Sequence, residues 1–282
     1  LTFSCGLSTY GYILCWGQFF NADGEVGSSD VPVPVATDKF FQQIASSDGH
    51  SCAIALGGET VCWGSNESGQ LGNGVFSPTA GMNPIADLDF VHIATGEAHT
   101  CGVTRTGLLY CWGRNDRGQL GVPASASSAL PVLVEPDMRF SQVAAGNDHT
   151  CALDSDGRVW CWGLLDPLAD PTGIEESPVL QVFPGEESFP GGRIVARGGV
   201  TCVEEASVGR YCWGHNDSGQ LGDGSTRDSY GEPVVCVGSA YTSVWQLAVG
   251  GGHTCGLDEI GDGYCWGDNH YGQVGGDATG DS

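Results

Sequence analysis

Thirteen cysteines are the residues of this sequence with the most chemistry in them. Regularly spaced thiols can ligate zinc, cross-link as disulfides, or stay reduced. Twelve fall into pairs ten positions apart: Cys5 and Cys15, Cys52 and Cys62, Cys101 and Cys111, Cys151 and Cys161, Cys202 and Cys212, Cys255 and Cys265. Structural zinc sites use cysteines separated by two to four residues, and no such pair occurs here. Six disulfides are therefore the expected chemistry, and they imply an oxidising compartment: secreted, cell-surface or periplasmic. Each would close a loop of about ten residues, worth roughly 2.5–3 kcal/mol on chain-entropy grounds. Cys236 breaks the even count. It is open to pairing outside this chain or with another copy, or to remaining a buried thiol.

Other reactive groups point to structure before catalysis. His50, His99, His149 and His253 each stand two positions before a first cysteine. As metal ligands they would sit in separate units, so they read as structural hydrogen-bonders and no metal site is expected. No nucleophile motif, phosphate loop or HExxH element is present, and no catalytic residue or cofactor is assigned. Asp154-Ser155-Asp156-Gly157 resembles the start of a calcium loop but lacks the later ligands, which leaves a β-turn. Two sequons, at Asn66 and Asn216, offer N-glycosylation in exposed loops, against the alternative that these amides bond their own turns. Residues 164–190 are the least repetitive stretch, with five prolines, the acids Asp166, Asp170, Glu175, Glu176, Glu186 and Glu187, and no lysine or arginine. A stiff acidic loop of this kind is a candidate contact for a basic partner.

The spacing that pairs the cysteines also dictates the elements that carry them. The first members of the pairs follow one another at 47, 49, 50, 51 and 53 residues, which marks a repeat architecture. Units begin near residues 1, 40, 90, 140, 193 and 244 of a single domain spanning 1–282. Short apolar runs broken by glycine and Asp-Gly turns indicate strands, and no helical stripe is present. In each unit two strands flank a turn such as Leu56-Gly57-Gly58-Glu59, so that the paired cysteines face each other across a β-hairpin. Trp63 then lies opposite Ser51 among small neighbours, while Cys52, Ile54 and Leu56 line the other face. Sheets apolar on both faces and repeated six times are what an all-β propeller requires.

The recurring string His-Thr-Cys-x-Leu, then Cys-Trp-Gly-x-Asn-x-x-Gly-Gln-Leu-Gly, resembles the repeat of the regulator of chromosome condensation family. That resemblance implies a β-propeller, commonly of seven blades. Two units depart from it: the first reads Gly24-Glu25-Val26-Gly27, and the fourth continues as Leu164-Leu165-Asp166-Pro167. Twelve hairpin strands plus about two for each of five connections give about 22, against 24 for six four-stranded blades and 28 for seven. Six blades closed by the termini, or part of a seven-bladed ring, both fit. The chain opens on neither an initiator methionine nor a signal peptide, as a processed or excerpted polypeptide would.

Composition narrows the function. Ten basic residues against thirty-four acidic ones give a net charge of −24, which opposes binding to nucleic acid or an anionic membrane. No apolar run is long enough to span a bilayer. The expectation is a non-enzymatic extracellular interaction or structural module: a surface or adhesion protein, a receptor ectodomain, or a subunit of an assembly that contacts other proteins or its own copies. The resemblance extends more loosely to Crinkly-type receptor ectodomains, from which the Asn-x-x-Gly-Gln-Leu-Gly element departs. A secreted inhibitor similar to propeller-type β-lactamase inhibitory proteins is the alternative. The exchange activity toward the GTPase Ran that the family's founder carries is opposed by the scarcity of basic residues and by the paired cysteines.

Overall fold

The computed structural model describes residues 3–36, 39–85, 88–123, 126–165, 173–205, 208–236, 244–258 and 260–275. Among them are twenty-two strands and no helix, in six antiparallel sheets whose strands pair in chain order. The first sheet comprises β1 (Phe3–Leu7), β2 (Ile13–Phe20) and β3 (Val26–Ala36), and the second β4 (Phe41–Ser46), β5 (His50–Ala55), β6 (Thr60–Asn66) and β7 (Ser77–Pro84). The third holds β8 (Phe90–Thr95), β9 (His99–Thr104), β10 (Leu109–Gly113) and β11 (Ser128–Val134). The fourth holds β12 (Phe140–Ala145), β13 (His149–Asp154), β14 (Val159–Leu164) and β15 (Ile174–Leu180). The fifth is β16 (Arg193–Arg197), β17 (Val200–Glu205), β18 (Gly209–Gly214) and β19 (Ser229–Val235), and the sixth β20 (Val244–Val249), β21 (His253–Asp258) and β22 (Gly263–Gly267). Strands β4, β8, β12, β16 and β20 line one axial cavity of about 370 Å³. The arrangement is a six-bladed β-propeller.

The central hairpin of each blade explains the repeated residues. Cys52 is directly opposite Cys62 and Ser51 opposite Trp63, and the same register recurs in the other five blades. All six pairs are disulfide-bonded, with Cα atoms 4.1 Å apart. Glycine after Cys-Trp is a steric requirement. Gly64 has φ of 109°, and a Cβ there would fall 2.6 Å from the Gly49 carbonyl oxygen of the adjacent strand connection.

Both faces of the interior blades are covered, one by each neighbour. Trp112 packs on Cys52, Cys62 and Leu71 of the preceding blade, and Trp162 packs on Cys101, Cys111 and Leu120. A disulfide thus forms the floor under the next blade's indole. Leu56 does not join this face: it sits in the hairpin turn and is 65% exposed. The alternation that carries Cys52 and Ile54 inward ends where the strand does.

Near the axis, amide side chains join successive blades. Gln43 donates to the Ile93 carbonyl (3.0 Å) and accepts from the Ile93 N–H (3.2 Å). Gln142 makes the same pair of contacts with Gly192 and Ile194. Arg197 reaches from the fifth blade to the second, where it donates to the Ser46 carbonyl at 2.7 Å and pairs with Asp48 at 2.6 Å.

Candidate functional site

The Asn-x-x-Gly-Gln-Leu-Gly element is a clasp between blades. Asn66 accepts the Leu71 N–H at 3.0 Å and donates to the Val75 carbonyl at 2.9 Å, which fixes the turn that follows β6. The turn aims the Gln70 carbonyl at the third blade, where it accepts from Trp112 Nε1 (2.9 Å) and Thr100 Oγ1 (2.8 Å). Gly72 lies so close to the indole that a Cβ would fall 2.8 Å from Trp112 Nε1. The Thr100 oxygen also contacts His50 Nε2 at 2.8 Å. Because the only hydroxyl proton goes to the Gln70 carbonyl, His50 must donate through Nε2. Its Nδ1 is free to accept from Ser47 Oγ at 3.0 Å.

The third junction repeats this chain through His99, Thr150, Trp162 and the Gln119 carbonyl. At the fifth junction Thr254 and Trp266 donate to the Gln220 carbonyl. In the first junction, where the clasp sequence is absent, Trp63 Nε1 donates to the Phe20 carbonyl. His50, His99 and His149 are held neutral. Burial, followed by the charge of Arg197, lowers His50 to about 3. Burial and the neighbouring His149, His50 and Arg114 lower His99 to about 3, and burial with His215 lowers His149 to about 4.

The fourth junction is different. Leu164 and Leu165 follow Cys161-Trp162-Gly163, and no clasp follows them. His149 Nε2 still contacts Thr201 Oγ1, at 2.6 Å. Among the described residues, however, no carbonyl accepts from the Thr201 hydroxyl or from Trp213 Nε1. Both side chains line a cavity of about 530 Å³ bordered by the fourth, fifth and sixth blades. Thr201 is 1% exposed and Trp213 5%. On the opposite side lie Asp217, Asp268, His215 and Tyr230. Asp217 accepts from Gln220 Nε2 at 3.0 Å, Asp268 accepts from Gln273 Nε2 at 2.8 Å, and the Tyr230 hydroxyl is 2.6 Å from His215 Nδ1. The cleft therefore gathers the Trp213 indole, a threonine hydroxyl held by His149, and two carboxylates bonded to neutral amides and backbone.

The residues singled out in the sequence are placed as follows. Ten of the paired cysteines lie at the junction floors, under the indole of the following blade, whereas Cys255 and Cys265 of the sixth blade are only partly buried. Cys236 is 2% exposed against Val200, Leu221 and Leu247, and burial pushes its thiol up to about 12. Of the readings open for Cys236, its burial and raised pKa support the buried thiol. Asn66 and Asn216 are both 0% exposed. Asn216 accepts the Leu221 N–H at 2.9 Å and donates to the Ser225 carbonyl at 3.0 Å, matching Asn66. Of the two readings of the sequons, this geometry supports the amides that bond their own turns, since a glycan on either nitrogen would displace the clasp.

The acidic stretch is not one loop. Asp166 and Asp170 lie outside the described residues. Glu175 and Glu176 are exposed on β15, and Glu186 and Glu187 sit in a turn anchored by Phe183 and Phe189. Those two rings pack edge to face with each other and on Tyr211, filling the same junction from its outer side. Asp154-Ser155-Asp156-Gly157 is a turn in which Asp154 accepts the Asp156 and Arg158 N–H groups, both at 2.9 Å. Sequence reasoning missed the donors Thr201 and Trp213. The signal was present in the co-occurrence of Thr-Cys, Cys-Trp-Gly and Gly-Gln-Leu-Gly, broken at one unit.

Comparison with known proteins agrees with this architecture. The pattern described as regulator of chromosome condensation (RCC1) repeat matches residues 58–103, 106–153 and 210–257, and a second form of it matches 41–70, 90–119 and 246–273. The human E3 ubiquitin-protein ligase HERC2 is 35% identical over 82 residues, 29% of this chain and 2% of its own length. The chain thus spans only a small fraction of the curated relatives it matches. Among solved structures, human WBSCR16 superposes with a TM-score of 0.79 at 20% identity, covering 97% of this chain and 76% of that one. Yeast RCC1 (Prp20), in its complex with Kap60, gives 0.73 at 22%, covering 88% and 62%. The ectodomain of the Physcomitrella patens receptor kinase CR4 gives 0.55 at 23%, covering 94% and 59%. With the repeat matched over half its length and the clasp, indole and hairpin recurring in the same order, this chain belongs to the regulator of chromosome condensation (RCC1) repeat family.

Proposed function

We propose that this propeller is a non-enzymatic extracellular or cell-surface module that binds protein partners, other subunits of an assembly or copies of itself among them; a periplasmic setting is equally compatible with the disulfides. The six hairpin disulfides carry this reading, because such bonds form and persist where the surroundings are oxidising. The distribution of chemistry supports it. Cys52, His50, Thr100, Asn66 and their counterparts are consumed in holding blade to blade, and the chain carries a net charge of −24. A likeness to yeast Prp20, whose structure is described together with its binding to Gsp1p and histones, fits a protein partner. The excess of acid favours a basic one.

Alkylation of the native protein, taken from its source without reduction and then denatured, tests the compartment. One modified cysteine, Cys236, is the expected count. Twelve further alkylations before any reductant is added would overturn the extracellular reading. Cross-linking of the same material tests the partner. Links to other surface or assembly proteins support the module, whereas recovery with one enzyme whose activity returns on release would favour an inhibitor.

A further inference from the structure

We propose that the axial cavity is a binding site for a small monocarboxylate with an unbranched apolar tail, its carboxylate held at Arg193 and its tail lying along the axis. The inference goes beyond the interaction-module reading and does not depend on it. The pairing register of the five innermost strands builds the site. Opposite the first cysteine of each hairpin stand Ala45, Ala94, Ala144, Val195 and Ala248, so the cavity wall at this level is small and apolar. Two residues earlier on the same strands stand Gln43, His92, Gln142, Arg193 and Gln246, a polar collar whose last four members line the cavity. Its volume of about 370 Å³ falls within the range of small-molecule sites, about 300–1,000 Å³.

The collar is not uniform, and its exceptions define the ligand. Gln43 and Gln142 spend their amides on the backbone of the following blade. The third and fifth blades hold His92 and Arg193 at that position, and His92 Nδ1 is buried without a hydrogen bond. Arg193 stands opposite Glu204, where the other blades have Ile54, Val103, Leu153 and Leu257. The two charges lie 3.7 Å apart, beyond hydrogen-bond length, and Arg193 makes no hydrogen bond among the described residues. Arg210, opposite Glu204 on β18, sets a second cation beside that carboxylate, so positive charge is in excess here. At the other end of the cavity Arg197 is already spent on the Ser46 carbonyl and on Asp48. A carboxylate therefore finds its unspent donors at Arg193, with an unpartnered imidazole nitrogen nearby. The alanine wall beyond them offers nothing to a hydrated anion and suits an alkyl chain.

The test is calorimetric titration of the folded, oxidised chain with hexanoate, butyrate, 1-hexanol and inorganic phosphate, in about 0.15 M NaCl to screen the surface charge. Hexanoate should bind at one site, about tenfold more tightly than hexanol, and butyrate should lose about fourfold for each methylene removed. The R193Q/E204L variant copies the Gln142 and Leu153 pair of the fourth blade, so it removes the cation without leaving a carboxylate stranded. It should weaken hexanoate about tenfold and leave hexanol unchanged. A94V/A144V copies Val195 and narrows the cavity, which should cost hexanoate more than butyrate. If A94V/A144V fails to fold, R193Q/E204L keeps the test decisive. Hexanol or phosphate binding as tightly as hexanoate would overturn the proposal. So would an unchanged hexanoate affinity in R193Q/E204L, or no saturable hexanoate binding at millimolar concentration. None of these outcomes touches the module reading, which the thiol count decides separately.

Discussion

A threonine hydroxyl has one proton to give and lone pairs to accept with, and Thr150 uses both: it donates to the Gln119 carbonyl and receives His99 Nε2–H. Thr150→Val keeps the shape but strands a buried carbonyl, weakens the hold on Trp162 and leaves His99 without its acceptor. A loss of about 2–3 kcal/mol is expected in urea denaturation. Thr201→Val strands only His149, so its cost should be smaller by about 1 kcal/mol, and equal losses would show that the fourth junction is clasped after all. The histidines at the head of these chains set a pH dependence. In the unfolded chain an imidazole takes a proton below about 6.5, whereas His50 and His99 resist until about 3 and His149 until about 4. Between those limits the unfolded state binds more protons, so stability falls as pH falls from 6.5 towards 4. At pH 5 the loss is about 2 kcal/mol per histidine. Urea unfolding at pH 7.5 and pH 5.0 measures it, and an unchanged midpoint would mean that these rings are protonated in the fold.

At the level of the hairpin, each disulfide restrains the same length of chain but is packed differently. Cys101 and Cys111 lie at 0% exposure under Trp162, whereas Cys5, in the first blade, is only partly buried. Replacing both cysteines by alanine removes about 2.5–3 kcal/mol of chain-entropy restraint in either blade. The Cys101/Cys111 pair should lose a further 1–2 kcal/mol through the void left beneath the indole. Differential denaturation of the two double variants checks this, and equal losses would mean that the sulfurs contribute no packing. The hairpins were the most legible part of the sequence, because a spacing of ten with a glycine turn permits only one register that opposes the cysteines. Two features were not legible. An Asn-x-Ser triplet reads the same whether the amide faces water or a turn, so the burial of Asn66 and Asn216 had to come from packing. Phe183 and Phe189 sit in a stretch with no repeat to set their register, and only the contact with Tyr211 shows that an acidic connection is pinned by two rings. The cleft lay between these extremes. The break at Leu164-Leu165 was visible, but its meaning depends on the donors Thr201 and Trp213 brought to it by a different blade.

For the molecule as a whole, the net charge of −24 is larger than the clasp architecture requires, and it sets how the protein answers to salt. Of the ten cations, Lys39, Arg105, Arg114, Arg158, Arg193 and Arg197 already face carboxylates. Exposed pairs of this kind contribute about 0–1 kcal/mol, while more than twenty carboxylates are left to repel one another. At about 0.01 M salt the screening length is about 30 Å, and it falls to about 8 Å at 0.15 M. At low salt a carboxylate therefore senses those on neighbouring blades, and at physiological salt mostly those on its own. Repulsion across blades should outweigh the scattered pairs, so raising NaCl from 10 to 300 mM is expected to raise the melting temperature by a few degrees. A fall would show that local pairs such as Arg197 with Asp48, which ties the fifth blade to the second across the axis, dominate the balance. The same screening acts in the opposite direction on association. A basic protein partner drawn to the acidic surface should bind less tightly in the salt that stabilises the propeller, so melting temperature and partner affinity are expected to move in opposite directions across one NaCl titration, and an affinity that does not fall with salt would show that the surface charge does not drive association.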